Sequence, residues 1–286
     1  MADHWYCAKT GEPRYTVIGK NGKERNTRVT DARDGSLVPS VTTINGMLSK
    51  TGLNTWLQTE AIKAAIEYPR WDGEDEKEWI SRILELSKAG LNTWLQTEAI
   101  KAAIEYPRWD GEDEKEWISR VLELSKAKSR EAAERGTCIH DILDSYFSLD
   151  YVPEWPVYVH RVQEHLDTTF GKRLWLSEKS FAHPEGYGGK CDLYSKPDPI
   201  NNLPGIVIDF KTTEKSPGEL TPYYEYTLQL SAYRMALAPG AVCANIFVNG
   251  ETNEVAIKIH NEQDLRDGFE AFISLLKVFK LKNKLN

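Results

Sequence analysis

An α/β fold, with a mixed sheet flanked by helices and a helical layer toward the N-terminus, is what this sequence predicts, and three observations predict it. The run from Gly205 to Phe210 is apolar on both faces up to Asp209, as in a central strand covered on both sides. Val242, Ala244, Ile246 and Val248 alternate, and Glu254 to Ile259 follows across Asn249-Gly250, so the two stretches read as a hairpin. Upstream, a long segment has helical periodicity and occurs twice.

The elements follow in order. Residues 1–51 form an N-terminal segment containing Pro39-Ser40-Val41-Thr42. Residues 52–89 then recur as 90–127 with one change, Ile83 to Val121, and together they form an inserted helical region. Such near-identity reads as a recent tandem duplication, because solenoid repeats diverge, number three or more and have capped ends. Each copy reads as two helices. In the first copy Leu53 to Tyr68 places Trp56, Ala61, Ala64 and Ala65 on an apolar side, and Glu74 to Ser87 does the same with Trp79, Ile80, Ile83, Leu84 and Leu86. Pro69 and Asp72-Gly73 separate them, and the acidic start Glu74-Asp75-Glu76 suits the positive end of a helix dipole. No proline interrupts 88–91, so the second helix of copy one is expected to run into the first of copy two, Gly90 costing about 1 kcal/mol. A single copy would suffice for the fold, and the middle two helices are expected to extrude as a hairpin.

Residues 128–286 form the core. His140 lies on a helix whose apolar face uses Ile139, Leu143, Tyr146 and Phe147. Two strands follow, Leu174 to Phe181 with Glu178, and Glu185 to Ser195 with Asp192 behind Gly188-Gly189. After the central strand, Thr221-Pro222 reads as a cap and first-turn proline opening a helix to Leu237. Its core stripe is Tyr224, Leu228, Ala232 and Met235, with Tyr226, Gln229 and Tyr233 beside it. A C-terminal helix begins at Glu262.

Charge inside the central strand is what points to chemistry. Strand side chains alternate, so Asp209 and Lys211 share a face with Val207 behind them. If the strand carrying Asp192 pairs alongside, the two carboxylates converge on one hard cation and the lysine reaches an oxygen that cation holds. A lone strand aspartate is ordinarily an edge or turn residue, and a lone histidine such as His140 is ordinarily packed and hydrogen-bonded. The combination carries the reading. Tyr223 and Tyr224 suit base stacking but are better explained as ordinary core or surface tyrosines, and Thr212 either contacts phosphate or caps the following loop.

Composition sets bounds. At 286 residues, with 41% hydrophobic and 28% charged, the chain can bury one sizeable core. The net charge of −7 argues against nucleic acid only superficially, because much of the acid sits in the two copies of Asp-Gly-Glu-Asp-Glu-Lys-Glu. Lys20, Lys23, Arg25, Arg28 and Lys277, Lys280, Lys282, Lys284 are basic clusters, read equally well as a binding field or as solvated surface. Cys7, Cys138, Cys191 and Cys243 stand singly, which indicates neither a zinc site nor a disulfide framework. With no apolar run of spanning length and no signal-peptide pattern, a soluble cytoplasmic protein is expected.

Gly188-Gly189-Lys190-Cys191-Asp192 followed by Ile206-Val207-Ile208-Asp209-Phe210-Lys211-Thr212 resembles the PD-(D/E)xK nuclease superfamily. Gly136-Thr137-Cys138-Ile139-His140 and Gln229-Leu230-Ser231-Ala232-Tyr233 are similar to the Gly-Thr-x-x-His and Gln-x-x-x-Tyr helices of its RecB-like exonuclease branch, in the same order. Pro39-Ser40-Val41-Thr42 resembles the opening segment of that branch, whose phage-encoded members and mitochondrial genome maintenance exonucleases share this layout. The resemblance implies a restriction-endonuclease-like sheet under a helical cover, here enlarged by the duplication. It implies a Mg2+- or Mn2+-dependent deoxyribonuclease, an exonuclease acting on single-stranded DNA in phage or bacterial replication or recombination. Asp192, Asp209, Lys211, Gln229 and Tyr233 would be catalytic, and His140, Asp192, Asp209 and the Phe210 carbonyl would be metal ligands, with Glu178 and Thr212 as additions. Some relatives hold an iron–sulfur cluster on a C-terminal cysteine group that this chain lacks, so no cluster is expected. A structure-specific endonuclease and a catalytically inert nucleic-acid-binding scaffold are the alternatives.

Overall fold

A computed structural model describes residues 4–48, 51–86, 93–149 and 154–285. In chain order the elements are β1 (Trp5–Cys7), β2 (Thr16–Ile18), β3 (Glu24–Asn26), β4 (Leu37–Pro39), α1 (Val41–Asn45), α2 (Thr51–Glu67), α3 (Glu76–Leu86), α4 (Thr93–Glu105) and α5 (Glu114–Phe147). After these come α6 (Val157–Phe170), β5 (Leu176–His183), β6 (Tyr187–Ser195), β7 (Ile206–Thr212), α7 (Tyr224–Leu237), β8 (Val242–Val248), β9 (Val255–Ile259) and α8 (Glu262–Asn283). Contacts divide the chain into one unit of Met1–Leu48 with Gly136–Asn286 and another of Ser49–Arg135. The boundaries read from sequence, 51/52 and 127/128, fall instead at 48/49 and 135/136, and the N-terminal segment belongs with the sheet.

In the first unit β7 is central in a five-stranded mixed sheet ordered β5-β6-β7-β8-β9. Within it β7 and β8 pair in parallel and the other neighbours are antiparallel. Two apolar layers explain why β7 reads as a continuous hydrophobic run. Ile206, Ile208 and Phe210 pack with Leu143 and Phe147 of α5 and with Val159 and Val162 of α6. Val207, on the opposite face, packs with Leu230 and Tyr233 of α7, Phe272 of α8 and Ile44 of α1. Alternation therefore sends Asp209 and Lys211 toward the α7 side.

Ser40 connects the N-terminal segment to this sheet. Its hydroxyl accepts from Thr43 N–H to cap α1, and its backbone forms a bridge with Gly188 of β6. A Cβ at Gly188 would meet Tyr6 Cβ at 2.8 Å, so the approach of the segment requires glycine there.

Several sequence-based bounds shift. A turn closed by Gly186 N–H on His183 occupies the residues before β6, so that strand starts at Tyr187 rather than Glu185. The Thr221 helix begins at Tyr224, with Tyr223 as its uncapped start. Thr221, preceding a proline, is biased away from helical geometry, and the first turn closes from Tyr226 N–H to Tyr223 O. Tyr224 is exposed rather than in the core stripe, whereas Leu228 and Ala232 are fully buried. The hairpin at Asn249-Gly250 uses a longer loop in which Asn249 Oδ1 accepts from Glu251 and Thr252 N–H. The His140 helix is the last part of α5, which continues unbroken from Glu114 because Arg130 to Arg135 are good helix formers.

The second unit is helical. Ala61, Ala64, Trp79, Ile80 and Ile83 of the first copy bury one cluster together with Ile100 of the second. Ala99, Ala102, Trp117, Ile118 and Val121 bury another together with Ile62 of the first. The exchange is reciprocal, as in a self-complementary interface. It places α4 chiefly against α2, with α3 touching both. The side chains of Trp56 and Leu86 and the 88–91 junction lie outside the described residues. Among the described residues no helix is long and apolar enough to cross a membrane.

Candidate active site

Asp192 and Asp209 meet where the β6–β7 ladder ends. Pairing runs Ser195↔Ile206, Tyr194↔Val207, Leu193↔Ile208 and stops one step before the two aspartates would face each other. Phe210 N–H, which a continued ladder would have bonded to β6 backbone, instead donates to Asp192 Oδ2 at 2.7 Å. The carboxylate thus replaces a backbone partner. Because a strand residue's N–H and C=O share an edge, the Phe210 carbonyl lies on this same edge of β7.

Asp209 is 2% exposed and receives Lys211 Nζ at 2.7 Å and Asn245 Nδ2 at 2.8 Å, both on Oδ2. At Asp192 the Phe210 N–H also falls on Oδ2, and His140 Nδ1 lies 3.5 Å from that same oxygen. Among the described residues each aspartate therefore commits Oδ2 to protein donors and leaves the lone pairs of Oδ1 unengaged. Burial pushes the Asp192 carboxyl up to about 6, Asp209 adds to the rise, and His140, Lys211 and the Phe210 N–H oppose it. Burial by itself would lower the Lys211 pKa, but Asp209 and Asp192 outweigh it and the net shift is upward. The two acids thus favour the charged form of Lys211.

Gln229 extends the group. Its Oε1 accepts from Lys211 Nζ at 3.3 Å and its Nε2 donates to Tyr233 OH at 2.9 Å. Burial raises the Tyr233 phenol well above its ordinary value, so it stays neutral. The ring also explains Gly189, where a Cβ would meet Tyr233 at 3.0 Å and Phe181 at 2.8 Å. Gly136 has a similar role, since a Cβ would stand 3.0 Å from Thr212 Oγ1 as α5 passes the end of β7. His140, four residues along α5, sits edge-on to the Phe210 ring with centroids 6.1 Å apart.

Direct contacts thus link His140, Asp192 and Phe210 in one group and Asp209, Lys211, Gln229 and Tyr233 in another, and the Asp209–Phe210 peptide joins the two. Glu178 and Thr212 are not part of that linked set. Glu178 occupies the β5 position across from Asp192 in a left-handed conformation, φ 51°, and its carboxylate is paired with Lys190. Thr212, at the end of β7, makes no hydrogen bond to either carboxylate among the described residues. Asn245 and Thr227 were not singled out from the sequence, His260 reads there as a structural histidine, and Tyr226 reads only as a stripe neighbour of Gln229 and Tyr233; its ring lies 4.7 Å from Lys211 Nζ. A signal for Asn245 was available, as a polar residue amid the apolar run Val242–Val248.

Among the described residues no group of three or more His, Cys, Asp and Glu has the spacing of a complete metal centre. The donor set nonetheless fits a hard cation, which takes one or two carboxylates and completes its shell with water and substrate oxygens. One buried carboxylate, Asp209, pairs with the Lys211 ammonium, and the partly buried Asp192 adds a second acid nearby.

No family model matches the chain, and no curated protein matches it. Among solved structures it is similar to one titled "Crystal structure of SSO0001", at 14% identity over 72% of this chain and 88% of that one, with a TM-score of 0.26. A likeness that low bears on neither fold nor function.

Proposed function

We propose that the protein is a divalent-metal-dependent deoxyribonuclease of the PD-(D/E)xK superfamily, an exonuclease acting on single-stranded DNA in phage or bacterial replication or recombination. On this reading the sheet is restriction-endonuclease-like and the duplicated helices are an enlarged cover. The observation that carries the reading is the convergence of Asp192, Asp209 and Lys211 at the open end of one ladder, each aspartate keeping one oxygen in reserve.

Asp192 Oδ1, Asp209 Oδ1 and the Phe210 carbonyl would hold Mg2+ or Mn2+, with His140 bordering the ion or the phosphate. Such an ion, when bound, polarises the scissile phosphate and acidifies an attacking water. The chain's own residues supply the rest. Lys211 keeps its proton and offsets charge that accumulates on phosphate oxygens in the transition state. Gln229 restrains the flexible lysine by accepting from Nζ, and Tyr233, neutral and buried, fixes Gln229 in turn. The Tyr226 ring packs on the ammonium, 4.7 Å from Lys211 Nζ. Tyr223, exposed and edge-on to Tyr226 at 5.4 Å, offers a face on which an unpaired base can stack.

The test is cleavage of end-labelled single- and double-stranded DNA with Mg2+ or Mn2+, beside EDTA controls, Asp209→Ala and Lys211→Ala. Metal-dependent release of nucleotides from linear strands, lost in both variants, is the expected result. Cutting of circular strands would assign an endonuclease, and inertness toward every DNA form would leave a binding protein.

A further inference from the structure

Asn245 is a fully buried amide in the middle of an apolar strand, beside Asp209 in the parallel register. Burying an amide is unfavourable unless both ends are bonded, and both are. Nδ2 donates to Asp209 Oδ2 at 2.8 Å and to the Asp209 carbonyl at 3.3 Å, while Oδ1 lies 2.8 Å from His260 Nε2. The direction of every bond follows from the first. A carboxylate only accepts, so Asn245 turns its NH2 to it, and His260 Nε2 must carry the proton that Oδ1 accepts. In the neutral ring Nδ1 is then an acceptor, 3.1 Å from Thr227 Oγ1 on α7, which donates. The His260 backbone is held as well, its N–H donating to Cys243 O at 2.9 Å. A directed chain of bonds therefore runs from α7 through the imidazole and the amide to one carboxylate oxygen.

We propose that Asn245 and His260 are positioning residues that fix the Asp209 rotamer, holding Oδ2 so that Oδ1 keeps its lone pairs for a divalent cation. The proposal rests on the reading of Asp192 and Asp209 as a cation site. Folding alone does not call for such a chain, since well-packed apolar side chains in place of a buried polar network are often as stabilising or more so. The chain ends on one residue, at one carboxylate oxygen and the backbone carbonyl of Asp209, which is the arrangement by which outer residues orient a ligand.

The experiment titrates Mn2+ into the purified full-length protein by calorimetry and measures unfolding in EDTA alongside. His260→Phe is expected to weaken Mn2+ binding by about ten-fold or more while the protein stays folded. His260→Gln, whose amide can still donate to Asn245 Oδ1, is expected to recover wild-type affinity to within about three-fold. A folded His260→Phe protein that binds Mn2+ as tightly as wild type would overturn the proposal, as would a Gln variant no better than Phe. If His260→Phe fails to fold, Thr227→Val decides, with a loss of about five-fold expected and unchanged affinity counting against the proposal. A wild-type protein that binds no Mn2+ refutes the cation-site reading itself, independently of any variant.

Discussion

Replacing Asp192 by asparagine should make the metal-free protein more stable while removing its affinity for metal. The Asp192 side chain is 16% exposed, and its carboxyl is raised from 3.8 to about 6 by burial and by Asp209. A raised carboxyl pKa contributes stability in full below about pH 4, and that contribution is lost as pH rises through about 6. At about 1.36 kcal/mol per pH unit, the interval between those two values corresponds to about 3 kcal/mol at neutral or alkaline pH. Asparagine keeps an oxygen for the Phe210 N–H and carries no charge. Urea unfolding in EDTA at about pH 8 should therefore show Asp192→Asn more stable than wild type by up to about 3 kcal/mol, with the difference shrinking toward zero near pH 4. Mn2+ should stabilise the wild type and leave the variant unchanged. A variant equally or less stable at pH 8, or a difference that does not vary with pH, would refute the account of Asp192 as a charge held out of water.

Asp209→Ala and Lys211→Ala should each abolish metal-dependent DNA cleavage with the circular dichroism spectrum preserved, and cleavage surviving either change would count against the assigned roles. Gly189→Ala should lower stability by about 1–3 kcal/mol in chemical denaturation, because the new methyl meets the Phe181 and Tyr233 rings at 2.8 and 3.0 Å. In the helical unit, Ile62→Ala and Ile100→Ala should cost similar amounts, about 2–4 kcal/mol each, since each isoleucine fills the cluster of the opposite copy. Markedly unequal losses in thermal unfolding would show that the exchange is not reciprocal.

What the sequence determined by itself was the part governed by chain geometry and local pattern. The two-residue period of a strand puts Asp209 and Lys211 on one face wherever β7 lies, and an apolar run on both faces requires cover on both sides. The four-residue spacing of Gln229 and Tyr233 likewise makes them neighbours on any helix, and a hydrogen bond joins them. Helix starts were less legible, as at Thr221-Pro222, because capping residues compete with turns that tertiary contacts select. The tertiary structure alone decided that the β6–β7 ladder stops before the aspartates, so that a side chain takes over a backbone bond. It also decided that Asn245 and His260, on a neighbouring strand and just beyond the next, would stand behind Asp209. Strand partners are chosen by packing across the whole sheet, and no local period records which distant residue a buried acceptor will meet.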